Sequence, residues 1–124
     1  MEQKKLRVGI IGVGSISEVH IAGYQADPRA EIVAFCDINE ELLKKKGEKY
    51  GVTNLFTDVN EMVKMEDLDA VSVCTWNAAH APCTIAALNA GKHVLCEKPR
   101  AMSVAEAQAM REAAQRNGKL LMIG

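Results

Sequence analysis

Short apolar runs alternate along this chain with mixed segments that are rich in alanine or in charged residues. The apolar runs have the length of buried β-strands, and the segments between them have the composition of helices. The predicted strands lie at residues 6–11, 31–36, 54–56, 70–74, 93–96 and 120–123. Strands that alternate with helices predict an α/β fold with helices on both faces of a parallel sheet. We therefore expect a doubly wound parallel sheet in the strand order 3-2-1-4-5-6.

Capping signals predict where several of the helices begin. Asn39 precedes two glutamates and can cap the second predicted helix. Ser103 and Glu106 have the spacing of a capping box, which predicts another helix start at Ser103. Pro82 suits the first turn of a helix, because a residue there needs no N–H donor. We therefore expect residues 75–79 to form a loop before a helix that begins near Pro82.

The junction between the first strand and the first helix contains two glycines, Gly12 and Gly14. Gly12 allows a tight turn, and Gly14 lets the backbone approach a pyrophosphate. Ser17 holds the third position of this fingerprint, where a small residue still permits close helix–strand packing. Asp37 ends the second strand, 25 residues after Gly12, and can accept hydrogen bonds from a ribose diol. These residues predict a dinucleotide-binding βαβ unit of the Rossmann type.

A glycine turn alone does not decide the ligand, since α/β proteins of other classes contain similar turns. The alternative is a methyltransferase-like nucleotide domain. The order strand, glycine turn, helix, strand and acid favours the dinucleotide over that alternative.

Length and composition narrow the function classes further. The 124 residues suit one domain, 1–124, and 48% hydrophobic with 25% charged residues is ordinary for a globular protein. A net charge of −1 gives no electrostatic reason to expect nucleic acid or an anionic membrane as a partner. No apolar run approaches the roughly 20 residues of a membrane helix, and the N-terminus lacks a signal peptide's apolar segment. We therefore expect a cytoplasmic protein.

The cysteines and histidines suggest a zinc site only superficially. His80 and Cys83 are three residues apart, as are His93 and Cys96, but the four cysteines include no Cys-x-x-Cys pair. His93 and Cys96 fall on one predicted strand, where positions three apart point to opposite faces. We predict no metal site.

Three loops are expected to meet at the carboxyl ends of the strands, where doubly wound sheets bind ligands. They are Gly12–Ile16, Thr75–His80 and Glu97–Pro99. Ser15 and Ile16 lie at the start of the first predicted helix, whose unpaired N–H groups attract a phosphate. In the third loop, partial desolvation would let the Lys98 amine donate or accept a proton in a reaction.

Four segments together resemble the Gfo/Idh/MocA oxidoreductase family. They are residues 9–17, 35–37, 75–80 and 91–99, the last of which ends in Glu97-Lys98-Pro99. The Glu-Lys-Pro signature argues against the methyltransferase alternative. The resemblance implies an enzyme that uses NAD(P) to oxidise or reduce a sugar, a cyclitol or a related polyol.

The resemblance also implies roles for individual residues. Lys98 matches the family's catalytic lysine, which assists proton transfer at the reacting hydroxyl or carbonyl. Glu97 and Asn77 match residues near the nicotinamide ribose. The loop that flanks the cofactor would contain Thr75, Trp76 and His80, although many members have proline at the position of Trp76.

The residues after the second strand bear on which cofactor is used. Asp37 is followed by apolar Ile38, and no arginine that would favour a 2′-phosphate is adjacent. We therefore expect NAD, with NADP less favoured, and both residues are predicted to contact the cofactor.

The resemblance covers the family only over roughly the first third of its members. It implies a second α/β domain, absent from this chain, that supplies the substrate pocket. We therefore expect a fragment that is inactive alone, that self-associates through an apolar docking patch, and whose intact enzyme is a homo-oligomer. A non-catalytic nucleotide-sensing or interaction module is the alternative function.

Overall fold

The described residues of the computed structural model form one six-stranded parallel sheet in the order β3-β2-β1-β4-β5-β6. The structure describes residues 5–14, 16–75, 77–96 and 103–123, with the backbone alone for residues 77–80. The strands are β1 (Leu6–Ile11), β2 (Ala30–Cys36), β3 (Asn54–Phe56), β4 (Ala70–Val73), β5 (His93–Cys96) and β6 (Leu121–Ile123). The helices are α1 (Ser17–Ala26), α2 (Glu40–Tyr50), α3 (Val59–Met62), α4 (Asn77–Asn89) and α5 (Val104–Asn117). The predicted doubly wound sheet and its strand order are confirmed.

The alternation of side chains along β1 divides the core into two clusters. Val8 and Ile10 pack in one cluster with residues of α1 and α2, including Ile21 and Leu43. Ile11 belongs to the other cluster, together with residues of α3, α4 and α5. Because neighbouring side chains of a strand point to opposite faces, helices cover both faces of the sheet. The chain therefore has the layered arrangement that the sequence predicted.

Two predicted helix caps are confirmed. The Asn39 side chain accepts a hydrogen bond from the backbone N–H of Leu42 at the start of α2. At the start of α5, the Ser103 hydroxyl accepts from the Glu106 N–H, and the Glu106 carboxylate accepts from the Ser103 N–H. These bonds satisfy backbone donors that have no partner inside the helix.

The predicted start of α4 is wrong. The helix begins at Asn77, so Pro82 lies inside it and residues 77–79 are helical rather than part of a loop. A proline inside a helix costs one backbone hydrogen bond and crowds the preceding turn. Ala87 and Leu88 of α4 are completely buried in the core, and this packing offsets the local cost.

Within the described parts of the chain, no helix combines the length and the apolar character that crossing a membrane requires. None of the four cysteines, all of which are among the described residues, forms a disulfide bond.

Candidate cofactor site

A cavity of about 420 Å³ opens at the carboxyl ends of the central strands. It lies where the chain leaves β1 for one side of the sheet and β4 for the other, which is the usual ligand position in such folds. The described residues that line it are Ile11, Gly12, Gly14, Cys36, Asp37, Ile38, Asn39, Leu42, Thr57, Val59, Cys74, Thr75 and Cys83. Five predicted site residues are therefore brought together here: Gly12, Gly14, Asp37, Ile38 and Thr75.

Gly12 is required at its position for two separate reasons. Its φ of 87° lies in the region that side chains rarely adopt. A Cβ atom on Gly12 would also stand 2.9 Å from the backbone carbon and oxygen of Cys74. The Gly12 N–H donates to the Cys36 carbonyl at 2.7 Å, which ties the turn to the end of β2. The predicted tight turn is present, and the contact with the end of β4 is an additional constraint.

Gly14 faces open space. Among the described residues, no heavy atom outside its chain neighbours lies within 4 Å of where a Cβ atom would be. The absence of a side chain here keeps the backbone of the loop accessible from the cavity that it lines. The site therefore fits a group that approaches the backbone closely, as a dinucleotide pyrophosphate does in this fold.

Ser17 takes the third fingerprint position as the first residue of α1. Its side chain is fully buried, and its hydroxyl donates to the Gly14 carbonyl at 2.6 Å. The Ser17 N–H donates to the same carbonyl at 3.1 Å. A small residue is accommodated as predicted, but the hydroxyl makes a bond that glycine could not make.

Asp37 joins the second strand to the loop that contains Gly12 and Gly14, which we call the glycine loop. One carboxylate oxygen, Oδ2, accepts from the Val13 N–H at 2.9 Å, and Oδ1 accepts from the Asn39 N–H at 2.8 Å. Ile38 is 82% exposed at the mouth of the same cavity. Asp37 and Ile38 therefore lie where the sequence predicted, but the bond from Asp37 to the glycine loop was not predicted.

Three thiols line the cavity, and sequence reasoning did not include them in the site. They belong to Cys36, Cys74 and Cys83. Burial, together with the smaller effect of the nearby Cys83, raises the pKa of the Cys36 thiol to about 12. Burial likewise raises the pKa of Cys83. The Cys36 and Cys83 thiols are therefore protonated near neutral pH, and the three cysteine side chains form a weakly polar wall. The available signal was their place in the sequence, since Cys36 and Cys74 come at the ends of two central strands.

The remaining predicted site residues have different outcomes. Ile16 is the N-cap residue of α1 and is not among the described residues that line the cavity. The backbone of Asn77 and His80 lies in the first turns of α4, and their side chains are outside the described part of the structure. Four further predictions fall wholly outside the described residues: Ser15, Trp76, Glu97 and Lys98.

Among the described residues, the side chains at zinc-like spacings do not form a metal-binding cluster. No group of three or more histidine, cysteine or acidic side chains there could hold a metal ion. His93 Nδ1 accepts a hydrogen bond from the Leu120 N–H at 3.1 Å, while Cys96 is buried in the core.

A sequence model described as the Gfo/Idh/MocA oxidoreductase family, NAD-binding Rossmann fold, matches residues 6–124. The chain belongs to this family. The resemblance inferred from the sequence motifs is confirmed, and so is the NAD-binding Rossmann fold.

Family members with assigned activities are similar to almost the whole of this chain. A D-glucoside 3-dehydrogenase of Escherichia coli K12 is 39% identical over 122 residues, which cover 98% of this chain and 35% of that protein. A myo-inositol 2-dehydrogenase of Thermotoga maritima is 33% identical over 119 residues, which cover 96% of this chain and 36% of that protein. This chain therefore spans about a third of the length of the Gfo/Idh/MocA relatives that it matches.

Solved structures of nicotinamide cofactor complexes share the fold. The WlbA dehydrogenase from Bordetella pertussis, in complex with NADH and UDP-GlcNAcA, superposes with a TM-score of 0.91 and 32% identity. That match covers 98% of this chain and 37% of that structure. A biliverdin reductase from Synechocystis sp. PCC 6803, in complex with biliverdin and NADP⁺, gives a TM-score of 0.87 and 30% identity over 95% of this chain and 37% of that structure.

Proposed function

We propose that this chain is the cofactor-binding unit of a dehydrogenase that holds NAD in the cavity described above. One observation carries the proposal: the open glycine loop and the Asp37 carboxylate lie at one cavity, at the carboxyl ends of the central strands. The diphosphate would lie against the loop that contains Gly12 and Gly14, near the N-terminus of α1.

The capacity of Asp37 for hydrogen bonds supports a ribose diol as its ligand. An ionised carboxylate has about four acceptor positions. Val13 and Asn39 use one on each oxygen, so each oxygen keeps capacity for one more donor. The two hydroxyls of the adenosine ribose would match this remaining capacity.

The same carboxylate supports NAD over NADP. A 2′-phosphate would bring its negative charge against Asp37, and the adjacent Ile38 offers no compensating cation. The exposed Ile38 side chain would instead provide apolar surface beside the adenosine.

The family resemblance supports proposals for the substrate class and for the proton-transfer residue. Similar proteins are named as dehydrogenases of a glucoside and of myo-inositol, which supports a sugar, cyclitol or related polyol as substrate. The nicotinamide, when bound, supplies the hydride chemistry. Lys98 would take or return the proton at the reacting oxygen, since it follows Cys96, the last residue of β5, by two positions.

We further propose that the activity needs a second, substrate-binding domain and that this chain alone is inactive. The relatives are about three times as long as the matched region. The edge strand β6 supports a docking surface, because Met122 is 63% exposed and Ile123 is half exposed there. The same surface supports self-association of this chain. Four cysteines without a disulfide bond support a reducing compartment such as the cytoplasm.

Calorimetric titration of this chain with NAD⁺ and NADP⁺ tests the cofactor proposal. We expect NAD⁺ to bind, and to bind more tightly than NADP⁺. No detectable binding of either at millimolar concentration would overturn the proposal.

A turnover assay tests the rest. We expect no NADH to form from NAD⁺ with glucosides or inositols, even when this chain is saturated with NAD⁺. NADH formation that Lys98→Gln abolishes would overturn the proposed inactivity while supporting the role of Lys98.

A further inference from the structure

The glycine loop is bonded on both sides by side chains from outside it. Val13, between the two glycines, is fully buried, and its N–H is held by the Asp37 carboxylate. The Gly14 carbonyl is held by the hydroxyl and the N–H of Ser17. The loop therefore has fixed hydrogen bonds that do not depend on any ligand.

The bond from Ser17 bears directly on how the loop meets an anion. A carbonyl oxygen carries partial negative charge and would repel a diphosphate if it turned towards the cavity. Two donors from Ser17 engage the Gly14 oxygen, and Gly14 itself lines the cavity. The hydroxyl bond thus helps to keep the Gly14 carbonyl oxygen on the donors of Ser17, an arrangement that suits an anionic ligand in the cavity.

The helix that carries Ser17 is firmly attached to the rest of the fold. Ile21 of α1 is fully buried, and the Tyr24 hydroxyl shares a 2.5 Å hydrogen bond with the Ser72 hydroxyl on β4. The Glu18 carboxylate is bonded to Lys46 and to Tyr50 of α2. Because α1 is anchored by both the sheet and α2, the Ser17 hydroxyl occupies a fixed position relative to the cavity.

We propose that Ser17 is a positioning residue whose hydroxyl sets the glycine loop in its diphosphate-binding shape before the dinucleotide arrives. The inference rests on the proposed function, because it assigns a role within that dinucleotide site. The fingerprint G-x-G-x-x-G favours glycine at position 17, whereas this inference predicts that glycine there weakens binding. Ser17→Gly, which completes the pattern G-x-G-x-x-G, weakens dinucleotide binding, because the loop must then be ordered at the expense of binding free energy.

The test compares Ser17→Ala and Ser17→Gly with the control Ala22→Gly, all in this chain. Ala22 is an exposed residue of α1, so its replacement by glycine loosens the same helix without touching the Gly14 carbonyl. Dissociation constants are measured for NAD⁺, for ADP, which carries a diphosphate, and for adenosine, which carries none. A net hydrogen bond lost from the loop predicts roughly three- to tenfold weaker binding of NAD⁺ and ADP by both Ser17 variants. Adenosine binding and the Ala22→Gly control are expected to stay within about twofold of the original chain.

The outcomes separate this inference from the proposed function. If the unaltered chain binds neither NAD⁺ nor ADP, the proposed function fails and the inference fails with it. If the chain binds them and Ser17→Ala binds equally well, the inference alone is wrong. Equal weakening of ADP and adenosine would also overturn it, since that result indicates general loosening of the fold. If Ser17→Gly does not fold, Ser17→Ala decides, because alanine keeps the small volume and the helix propensity.

Discussion

Replacing Asp37 by asparagine is expected to destabilise this chain even without a cofactor. The two side chains have the same shape, but asparagine has one acceptor oxygen and one NH₂ donor in place of two acceptor oxygens. In the structure both Asp37 oxygens accept backbone N–H groups, from Val13 and from Asn39. Whichever way the amide turns, one backbone donor faces another donor and loses its partner.

The magnitude follows from the burial of the affected group. Val13 is fully buried, so an amide NH₂ turned towards it would leave its N–H without a partner and without ready access to water. If the amide turns the other way, the exposed Asn39 N–H loses its partner, and a neutral oxygen replaces the charged acceptor of the Val13 N–H. An unsatisfied buried donor costs about 1–3 kcal/mol, and hydrogen bonds to charged groups contribute about the same. We therefore expect Asp37→Asn to lower the free energy of unfolding by about 1–3 kcal/mol.

Urea denaturation followed by circular dichroism measures this change, with Glu48→Gln as the matched control. Glu48 is an exposed acid of α2, so its replacement also removes one negative charge but leaves the glycine loop intact. The control is expected to stay within about 0.5 kcal/mol of the original chain. If Asp37→Asn and Glu48→Gln have the same stability, the predicted loss from replacing the two charged backbone bonds of Asp37 is wrong, and the Asp37 charge acts on the ligand alone.

One further substitution, at Gly12, and one labelling experiment, at Cys83, test other residues that line the same cavity. Gly12→Ala should lower the free energy of unfolding by more than about 2 kcal/mol, because it combines a φ of 87° with a 2.9 Å approach to the Cys74 backbone. Gly118→Ala is its control in urea denaturation: Gly118 has a φ of 62° with no described atom close to the added Cβ, so an equal loss in both variants would refute the crowding at Gly12. Because burial raises the pKa of Cys83, its thiolate forms at higher pH than an ordinary thiol, and maleimide labelling of Cys83 should still be rising above about pH 8.5. Peptide mapping should show that NAD⁺ slows this labelling, since Cys83 lines the cavity; a rate that levels off near neutral pH, or that NAD⁺ leaves unchanged, would contradict the prediction.

The features predictable from the sequence are those that local patterns encode. The apolar runs, the capping box at Ser103 and the glycine turn at Gly12 are signals within a few residues, and each of them is present in the structure. The start of α4 was mispredicted because Pro82 shows only where a backbone donor is absent. The helix begins at Asn77, five residues before Pro82.

The contacts that shape the site were not predictable, because they join residues far apart in the sequence. Asp37 bonds Val13 across 24 positions, and Gly12 lies against the backbone of Cys74, the residue after β4. A fingerprint specifies which residue types a ligand tolerates at each position. It does not specify which of them also bond to one another.

The double use of Asp37 limits how cofactor preference in this chain can be changed. Replacing the acid by a small neutral residue removes the charge that opposes a 2′-phosphate, but it also releases the Val13 N–H that holds the glycine loop. Such a variant should lose affinity for NAD and gain little for NADP, because both cofactors need the same diphosphate loop. A variant that accepts a 2′-phosphate must therefore combine a cation near Ile38 with a new acceptor for the Val13 N–H.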